Sequence, residues 1–137
     1  MMQQIYPQVN HNYAFELNKD MNFSAAHYIP DERAGVCSRT HGHTYFVNVT
    51  IAGNQLDEMG FLVNFRDIKS IINDTFDHTL INDLPELKDK MPSTELVAKT
   101  IFDMIDNHLN TLPHAPKVLQ VFLRETPTSY VVYRGVR

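Results

Sequence analysis

The sequence has little of several residue types, and each shortage excludes a class of protein. Its 137 residues include one cysteine, no tryptophan and five glycines. A single cysteine cannot form an internal disulfide, so the chain is not a disulfide-stapled secreted scaffold. There is no glycine/serine linker or low-complexity tract that would divide the chain. We therefore expect one domain spanning residues 1–137.

Positive charge and long apolar stretches are also scarce. The chain has 12 Lys and Arg against 16 Asp and Glu, for a net charge of -4, whereas a nucleic-acid binder normally shows a basic face. No apolar run approaches the roughly 18 residues that span a bilayer, and Met1–Gln4 lack the charged-then-apolar pattern of a signal peptide. We expect no nucleic-acid partner, no membrane association and a cytoplasmic location.

The first half of the chain shows two period-two alternations of apolar and polar residues. One runs from Tyr13 to His27 with His27 on the apolar side, after a polar N-terminal arm over residues 1–12. The second runs from His43 to Ile51, after a loop over residues 28–40. Such alternation predicts strands with one buried face. We expect the two strands to pair as an antiparallel hairpin.

The second half predicts two helices followed by two strands. Asn64 is the expected N-cap of the first helix, and Pro92-Ser93 introduces the second. A strand over residues 117–124 should place Leu119, Val121 and Leu123 on one face, and the last strand covers Tyr130–Tyr133. The order β-β-α-α-β-β predicts an α+β domain, a four-stranded antiparallel sheet with both helices on one face. Its open edges are expected to be covered by assembly.

Histidines are concentrated where the predicted hairpin ends. His41 and His43 lie one residue apart on a strand, so their side chains project to the same side. His27, on the paired strand, would bring a third imidazole to the same point. Three protein ligands with an open fourth position are typical of catalytic zinc. Copper, iron and nickel also accept imidazole, so the residues alone leave the metal open.

Three further positions could carry chemistry. Cys37 is one of two things. It is a small core residue, or its thiolate is stabilised by Arg39 and the expected metal ion and can act as a base or nucleophile. Asp77-His78 is either a solvated loop or a proton-transfer pair. Glu125 lies on the same side of the predicted strand as its apolar residues, so its carboxylate needs a partner. That partner could be Arg124, Arg134 or a ligand with two parallel N–H donors. The remaining histidines show no such grouping: His11, His108 and His114.

The motif Cys37-x-x-x-His41-Gly42-His43, with His27 ending Phe23-Ser24-Ala25-Ala26-His27, resembles the 6-pyruvoyltetrahydropterin synthase superfamily. Later pieces fall in the order of that family: Asp77-His78 with Leu80-Ile81-Asn82, Pro92-Ser93-Thr94-Glu95, and Arg124-Glu125-Thr126. The resemblance covers nearly the whole chain. The three-residue gap between Cys37 and His41 resembles the bacterial, carboxy-forming branch, because the pyruvoyl-forming animal enzymes typically carry a longer gap.

The resemblance implies a tunnelling fold, in which subunits join edge to edge into a barrel and trimers stack into a homohexamer. It also implies one zinc ion per subunit, held by His27, His41 and His43. The implied reaction converts 7,8-dihydroneopterin triphosphate into 6-carboxy-5,6,7,8-tetrahydropterin, acetaldehyde and triphosphate, in queuosine (7-deazaguanine) biosynthesis. Two alternatives are a synthase that eliminates triphosphate to give a pyruvoyl product and a non-catalytic zinc- or pterin-binding subunit.

The resemblance also assigns roles to single residues. Cys37 would be the proton acceptor, and Asp77 and His78 would form the relay on the other side of the substrate. Glu125 would clamp the pterin N–H groups and belong to the relay as well. Further pterin contacts are expected from three residues: Thr94, Glu95 and Thr126. Asn64 stands where the family commonly has Asp, and because both residues cap helices we expect no change in the fold.

Overall fold

The helices and strands follow the predicted order, with one additional strand. The computed structural model describes residues 6–136. Its elements are β1 (Phe15–His27), β2 (His41–Gly53), α1 (Phe65–Phe76), β3 (Thr79–Leu80), α2 (Thr94–Leu109), β4 (Lys117–Thr126) and β5 (Ser129–Tyr133). Short 3₁₀ turns cover Glu32–Ser38 and Ile81–Asp83.

The sheet has five strands in the order β3-β1-β2-β4-β5. β1, β2, β4 and β5 pair antiparallel in succession, as expected. The prediction of a four-stranded, wholly antiparallel sheet is wrong because β3 adds a parallel pairing at the end of β1, with Thr79 opposite Ala25 and Leu80 opposite Ala26. A strand of two residues is too short to show periodicity, so the alternation pattern could not indicate it.

A β-bulge changes which residue of β4 enters the core. The β2–β4 ladder pairs Thr50 with Gln120 and Ile51 with Val118, so Leu119 is skipped. Val118 is buried in the core, and the expectation that Leu119 occupies that place is wrong. One extra residue shifts the side-chain parity on one side of the bulge only. Beyond it, Val121 and Leu123 lie in the core as predicted.

Both helices begin where the sequence predicts, α1 after the N-cap Asn64 and α2 after Pro92-Ser93. Asn64 Oδ1 accepts a hydrogen bond from Arg66 N (2.9 Å), and Ser93 Oγ accepts one from Leu96 N (3.2 Å). These bonds satisfy backbone N–H groups that a helix start leaves without intrahelical partners. α1 packs on β1, and α2 packs on β4 and β5. One hydrophobic cluster joins the helices to a single face of the sheet and includes Phe23, Tyr45, Ile68, Phe76, Ile101 and Leu123.

The other face of the sheet carries buried polar side chains: Asn48, Thr50 and Gln120. The described part of the N-terminal arm contacts this face. Tyr6 donates its hydroxyl proton to Asp20 (2.7 Å), and the Pro7 carbonyl accepts a hydrogen bond from Gln120 Nε2 (2.9 Å). Residues 6–7 of the arm therefore contact this face of the sheet, while residues 1–5 lie outside the described residues.

The sheet is open at both edges. Within residues 6–136, β1 has a strand partner on its outer side only at Ala25 and Ala26, and β5 has none on its outer side. A single chain therefore forms an open sheet and not a closed barrel. Among the described residues, no helix combines the length and apolar character required to cross a membrane.

Candidate active site

Three histidines meet at the end of the β1–β2 hairpin. The register pairs His27 directly with His41, and His43 follows two residues later on the same face of β2. One ring nitrogen from each side chain lies within 4.8 Å of the others. His27 is buried, and the other two imidazoles are partly exposed. This cluster could hold a metal ion with one side open to a ligand.

Backbone carbonyls orient two of the three rings. His27 Nδ1 donates to the Pro92 carbonyl (2.8 Å), and His41 Nδ1 donates to the Arg39 carbonyl (2.7 Å). Because a carbonyl oxygen only accepts, the proton of each neutral ring belongs on Nδ1, which leaves Nε2 as a lone-pair donor to a metal. Metal-binding histidines in proteins are oriented in this way.

Two ring nitrogens at the cluster make no hydrogen bond to the described part of the chain. Among the described residues, His27 Nε2 and His43 Nε2 are buried without a hydrogen bond. Burial lowers the pKa of His43, although the nearby carboxylate of Glu125 acts in the opposite direction. Neutral imidazole is the form that binds a metal. The residues present therefore fit a divalent cation that prefers nitrogen ligands.

A carboxylate lies next to the histidine cluster. Glu125 Oε1 is 3.4 Å from His43 Nε2, and Oε2 is 3.9 Å from His27 Nε2. The hydroxyl of Thr94, the first residue of α2, donates a hydrogen bond to Oε2. Arg124 and Arg134 instead donate to other partners. Within residues 6–136, Glu125 is thus held in place without a lysine or arginine partner, and Oε1 lies nearest to His43.

Asp77 and His78 attach to the edge of β1. Asp77 Oδ1 accepts from Ser24 N (2.9 Å), and His78 N donates to Ser24 O (2.7 Å). His78 has φ of 59°, in the left-handed region that non-glycine residues rarely adopt. Its side chain is 85% exposed, with Nε2 3.5 Å from Asp77 Oδ2. The backbone therefore fixes an imidazole and a carboxylate side by side, both accessible to solvent.

An open pocket of about 440 Å³ lies at this edge of the sheet, lined by Ser24, Ala25, Ala26, Gly42, His43, Thr44, His78 and Thr79. Its lining includes His43 of the histidine cluster and His78 of the Asp77-His78 pair. A Cβ on Gly42 would meet nothing closer than the Ala25 carbonyl at 3.8 Å, an ordinary contact. The fold does not require glycine at this position, and its missing side chain leaves the pocket wider.

Three other predicted site residues lie in turns or at the ends of elements. Cys37 is exposed in the 3₁₀ turn between β1 and β2, and its carbonyl accepts a hydrogen bond from Ile29 N (2.8 Å). Glu95 is exposed in the first turn of α2. Thr126 Oγ1 accepts a hydrogen bond from Thr128 N (3.3 Å) in the turn that follows β4. Among the described residues, these three side chains make no hydrogen bond or ion pair to the histidine rings.

Sequence reasoning did not identify Tyr45 as part of the site. Its ring centroid lies 6.1 Å from that of His27 and 5.7 Å from that of His43. Among residues 6–136 its buried hydroxyl has no hydrogen-bond partner. Burial raises the pKa of Tyr45, so the hydroxyl stays protonated. The alternation placed Tyr45 on the core face, but a pattern of apolar residues carries no information about a hydroxyl.

The fold and the site together define an α+β domain in which three imidazoles that could hold a metal ion lie beside a carboxylate and an open pocket. The chain belongs to the 6-pyruvoyl tetrahydropterin synthase family, because the sequence model of that family matches residues 16–136.

Known relatives agree with this membership. The chain is 56% identical over 138 residues to the 6-carboxy-5,6,7,8-tetrahydropterin synthase of Bacillus subtilis, covering 98% of this chain and 94% of the relative. It is 35% identical over 106 residues to the 6-pyruvoyl tetrahydrobiopterin synthase of Dictyostelium discoideum, covering 74% of this chain and 75% of that relative. The solved structure of the Caenorhabditis elegans 6-pyruvoyl tetrahydropterin synthase has the same fold, with a TM-score of 0.73 at 23% identity, covering 89% of this chain and 96% of that one.

Proposed function

We propose that this chain is a zinc-dependent lyase that converts 7,8-dihydroneopterin triphosphate and water into 6-carboxy-5,6,7,8-tetrahydropterin, acetaldehyde and triphosphate, within queuosine biosynthesis. The observation that carries the proposal is the position of the Glu125 carboxylate beside a cluster of three histidines, in which Nε2 of His27 and Nε2 of His43 make no hydrogen bond within the described residues. The carboxy-forming reaction is preferred over the pyruvoyl-forming one because the Bacillus subtilis relative is 56% identical and the Dictyostelium discoideum relative 35%.

Zinc is assigned to His27, His41 and His43. The reason is the chemistry of the donors, since three neutral imidazoles with an open side suit zinc and the ring orientations already direct Nε2 inward. When bound, zinc would act as a Lewis acid toward the oxygens of the substrate side chain.

Glu125 is assigned to the pterin ring. Its two oxygens can accept two parallel N–H bonds, the pattern that the pterin amino group and adjacent ring nitrogen offer. Thr94 holds Oε2 through its hydroxyl and so sets the plane of the carboxylate. Glu95 and Thr126 are proposed as further pterin contacts at the start of α2 and the end of β4.

Cys37 and the Asp77-His78 pair are assigned to proton transfer. Cys37, as thiolate, would take a proton from the side-chain carbon of the substrate. His78 would exchange protons on the other side, with Asp77 3.5 Å away stabilising the protonated imidazole. The pocket between His43 and His78 provides the space in which a substrate can reach both the histidine cluster and the relay.

We also propose that the chain, as one domain over residues 1–137, works in the cytoplasm as a homohexamer of stacked trimers. The support is the open outer edges of β1 and β5, since unpaired edges are normally covered in native proteins. An assembly would also cover His78, which is 85% exposed in a single chain, and so exclude water from the relay.

The test is product identification by mass spectrometry after incubating the zinc-loaded protein with 7,8-dihydroneopterin triphosphate, together with a coupled assay for acetaldehyde. We expect the carboxypterin and acetaldehyde. Triphosphate release without acetaldehyde would reject this proposal in favour of the pyruvoyl-forming alternative. Binding without turnover would instead indicate a pterin-binding subunit. Metal-free protein serves as the control.

A further inference from the structure

The side-chain amide of Asn82 makes two hydrogen bonds to the backbone of a single residue, Tyr28. Nδ2 donates to the Tyr28 carbonyl (2.9 Å), and Oδ1 accepts from the Tyr28 N–H (3.0 Å). The two residues are 54 positions apart in the sequence. Tyr28 directly follows His27, so this amide clamp holds the main chain where it leaves the histidine cluster.

The clamped segment also bonds to the turn that carries Cys37. Ile29, the next residue, donates its N–H to the carbonyl of Cys37 (2.8 Å). Tyr28 and Ile29 therefore lie between two contacts, with Asn82 on one side and Cys37 on the other. A shift of Tyr28 would move the hydrogen-bond donor that holds the Cys37 backbone.

Asn82 is also joined to the Asp77-His78 pair. Residues 77–82 run along the outer edge of β1, starting with the bond from His78 N to Ser24 O (2.7 Å). The two-residue strand β3 continues the pairing, and the amide clamp ends it. Asn82 therefore closes the segment that fixes His78 against the strand ending in His27.

We propose that Asn82 is a positioning residue of the active site, whose amide clamps Tyr28 and so fixes His27, Cys37 and His78 relative to one another. The inference rests on the proposed function for the roles of those three groups. Asn82 itself touches backbone and acts through its neighbours. The clamp needs one donor and one acceptor on the same planar group, which only an amide supplies among side chains of this size. Aspartate keeps the acceptor for Tyr28 N–H but loses the donor to Tyr28 O.

The experiment compares zinc affinity, measured by competition with a chromogenic chelator, in the wild type, Asn82→Ala, Asn82→Asp and the control Asn54→Ala. Asn54 also makes a side-chain bond to backbone, accepting from Ala14 N (2.9 Å) at the far end of the hairpin. We expect Asn82→Ala to weaken zinc binding by about 10- to 100-fold, the usual effect of removing a group that orients metal ligands. Asn82→Asp should lose less zinc affinity than Asn82→Ala, and Asn54→Ala should bind zinc as the wild type does.

Amide hydrogen exchange by NMR provides a readout that does not depend on turnover. Exchange at Tyr28 and Ile29 should accelerate in Asn82→Ala, whereas Asn82→Asp should keep part of the protection at Tyr28. Faster exchange at Tyr28 with unchanged zinc affinity would overturn the inference, because Asn82 would then be only structural. Asn82→Asp keeps the shape of the side chain. If Asn82→Ala does not fold, zinc affinity and amide exchange are compared between Asn82→Asp and the wild type.

The outcome can be separated from that of the proposed function. If the wild type binds zinc but produces no carboxypterin, and Asn82→Ala still weakens zinc binding, the positioning role stands and the proposed reaction fails. A wild type that binds no zinc overturns both. Loss of turnover in Asn82→Ala with zinc affinity and amide exchange both unchanged would also overturn the clamp.

Discussion

Zinc binding should raise the free energy of unfolding of this protein, and the increase follows from the ratio of free zinc to Kd. The Nε2 atoms of His27 and His43 are buried without a hydrogen-bond partner among the described residues, so the metal-free state carries unsatisfied polar atoms in its interior. Zinc supplies the missing partner and has no equivalent site in the unfolded chain. Its binding free energy therefore adds to the free energy of unfolding.

At a free zinc concentration of about 100 times Kd, the added stability is about 2.7 kcal/mol. For 137 residues, an unfolding entropy of about 2.1 cal/mol/K per residue amounts to about 0.29 kcal/mol/K. The expected rise in Tm is therefore about 9 °C, and each further tenfold in free zinc adds about 5 °C. Differential scanning fluorimetry or calorimetry over a buffered zinc series measures both the shift and its dependence on concentration.

Single-residue variants decide whether the shift comes from the three histidines. Replacing His27, His41 or His43 by alanine should abolish it. His114→Ala is the matched control because the His114 ring donates a hydrogen bond to the Leu62 carbonyl (2.6 Å) and does not belong to the cluster. This variant should start from a lower Tm and keep the full zinc shift. A zinc shift that persists in His41→Ala, or that disappears in His114→Ala, would refute the assignment of the metal to this cluster.

Other variants test single groups of the site. Cys37→Ala should keep stoichiometric zinc by elemental analysis but lose about 100-fold or more in kcat, the scale of a positioned base, and unchanged kinetics would reject Cys37 as that base. Tyr45→Phe should leave the free energy of unfolding unchanged or raise it by about 1 kcal/mol, because it removes a buried hydroxyl without a described partner. Urea denaturation measures this change, and a loss of more than about 1 kcal/mol would show that the hydroxyl has a partner. Gly42→Ala should fold with equal or higher stability, since a Cβ there meets only the Ala25 carbonyl at 3.8 Å, and should lower kcat/KM if the pocket holds substrate.

The hairpin and its histidines could be predicted because they follow local rules. β1 and β2 are 13 residues long each, enough for the period-two alternation to define which face is buried. With the faces known, His27, His41 and His43 had to point the same way, and the register pairs His27 with His41 directly. The helix caps Asn64 and Ser93 were predictable for the same reason, because capping depends on neighbouring residues.

Features that depend on distant contacts could not be predicted. The Pro92 carbonyl that orients His27 lies 65 positions away in the sequence, and a backbone acceptor leaves no trace in residue type. β3 spans two residues, and the bulge at Leu119 inserts a single one, so neither disturbs the hydrophobic pattern enough to be noticed.

The measurement that tests the central claim most directly is the molar ratio of acetaldehyde to triphosphate released from 7,8-dihydroneopterin triphosphate by the zinc-loaded protein. The proposed reaction predicts equal amounts of the two, with the carboxypterin as the remaining product. Triphosphate released without acetaldehyde, or no release of either by protein with full zinc occupancy, would contradict it.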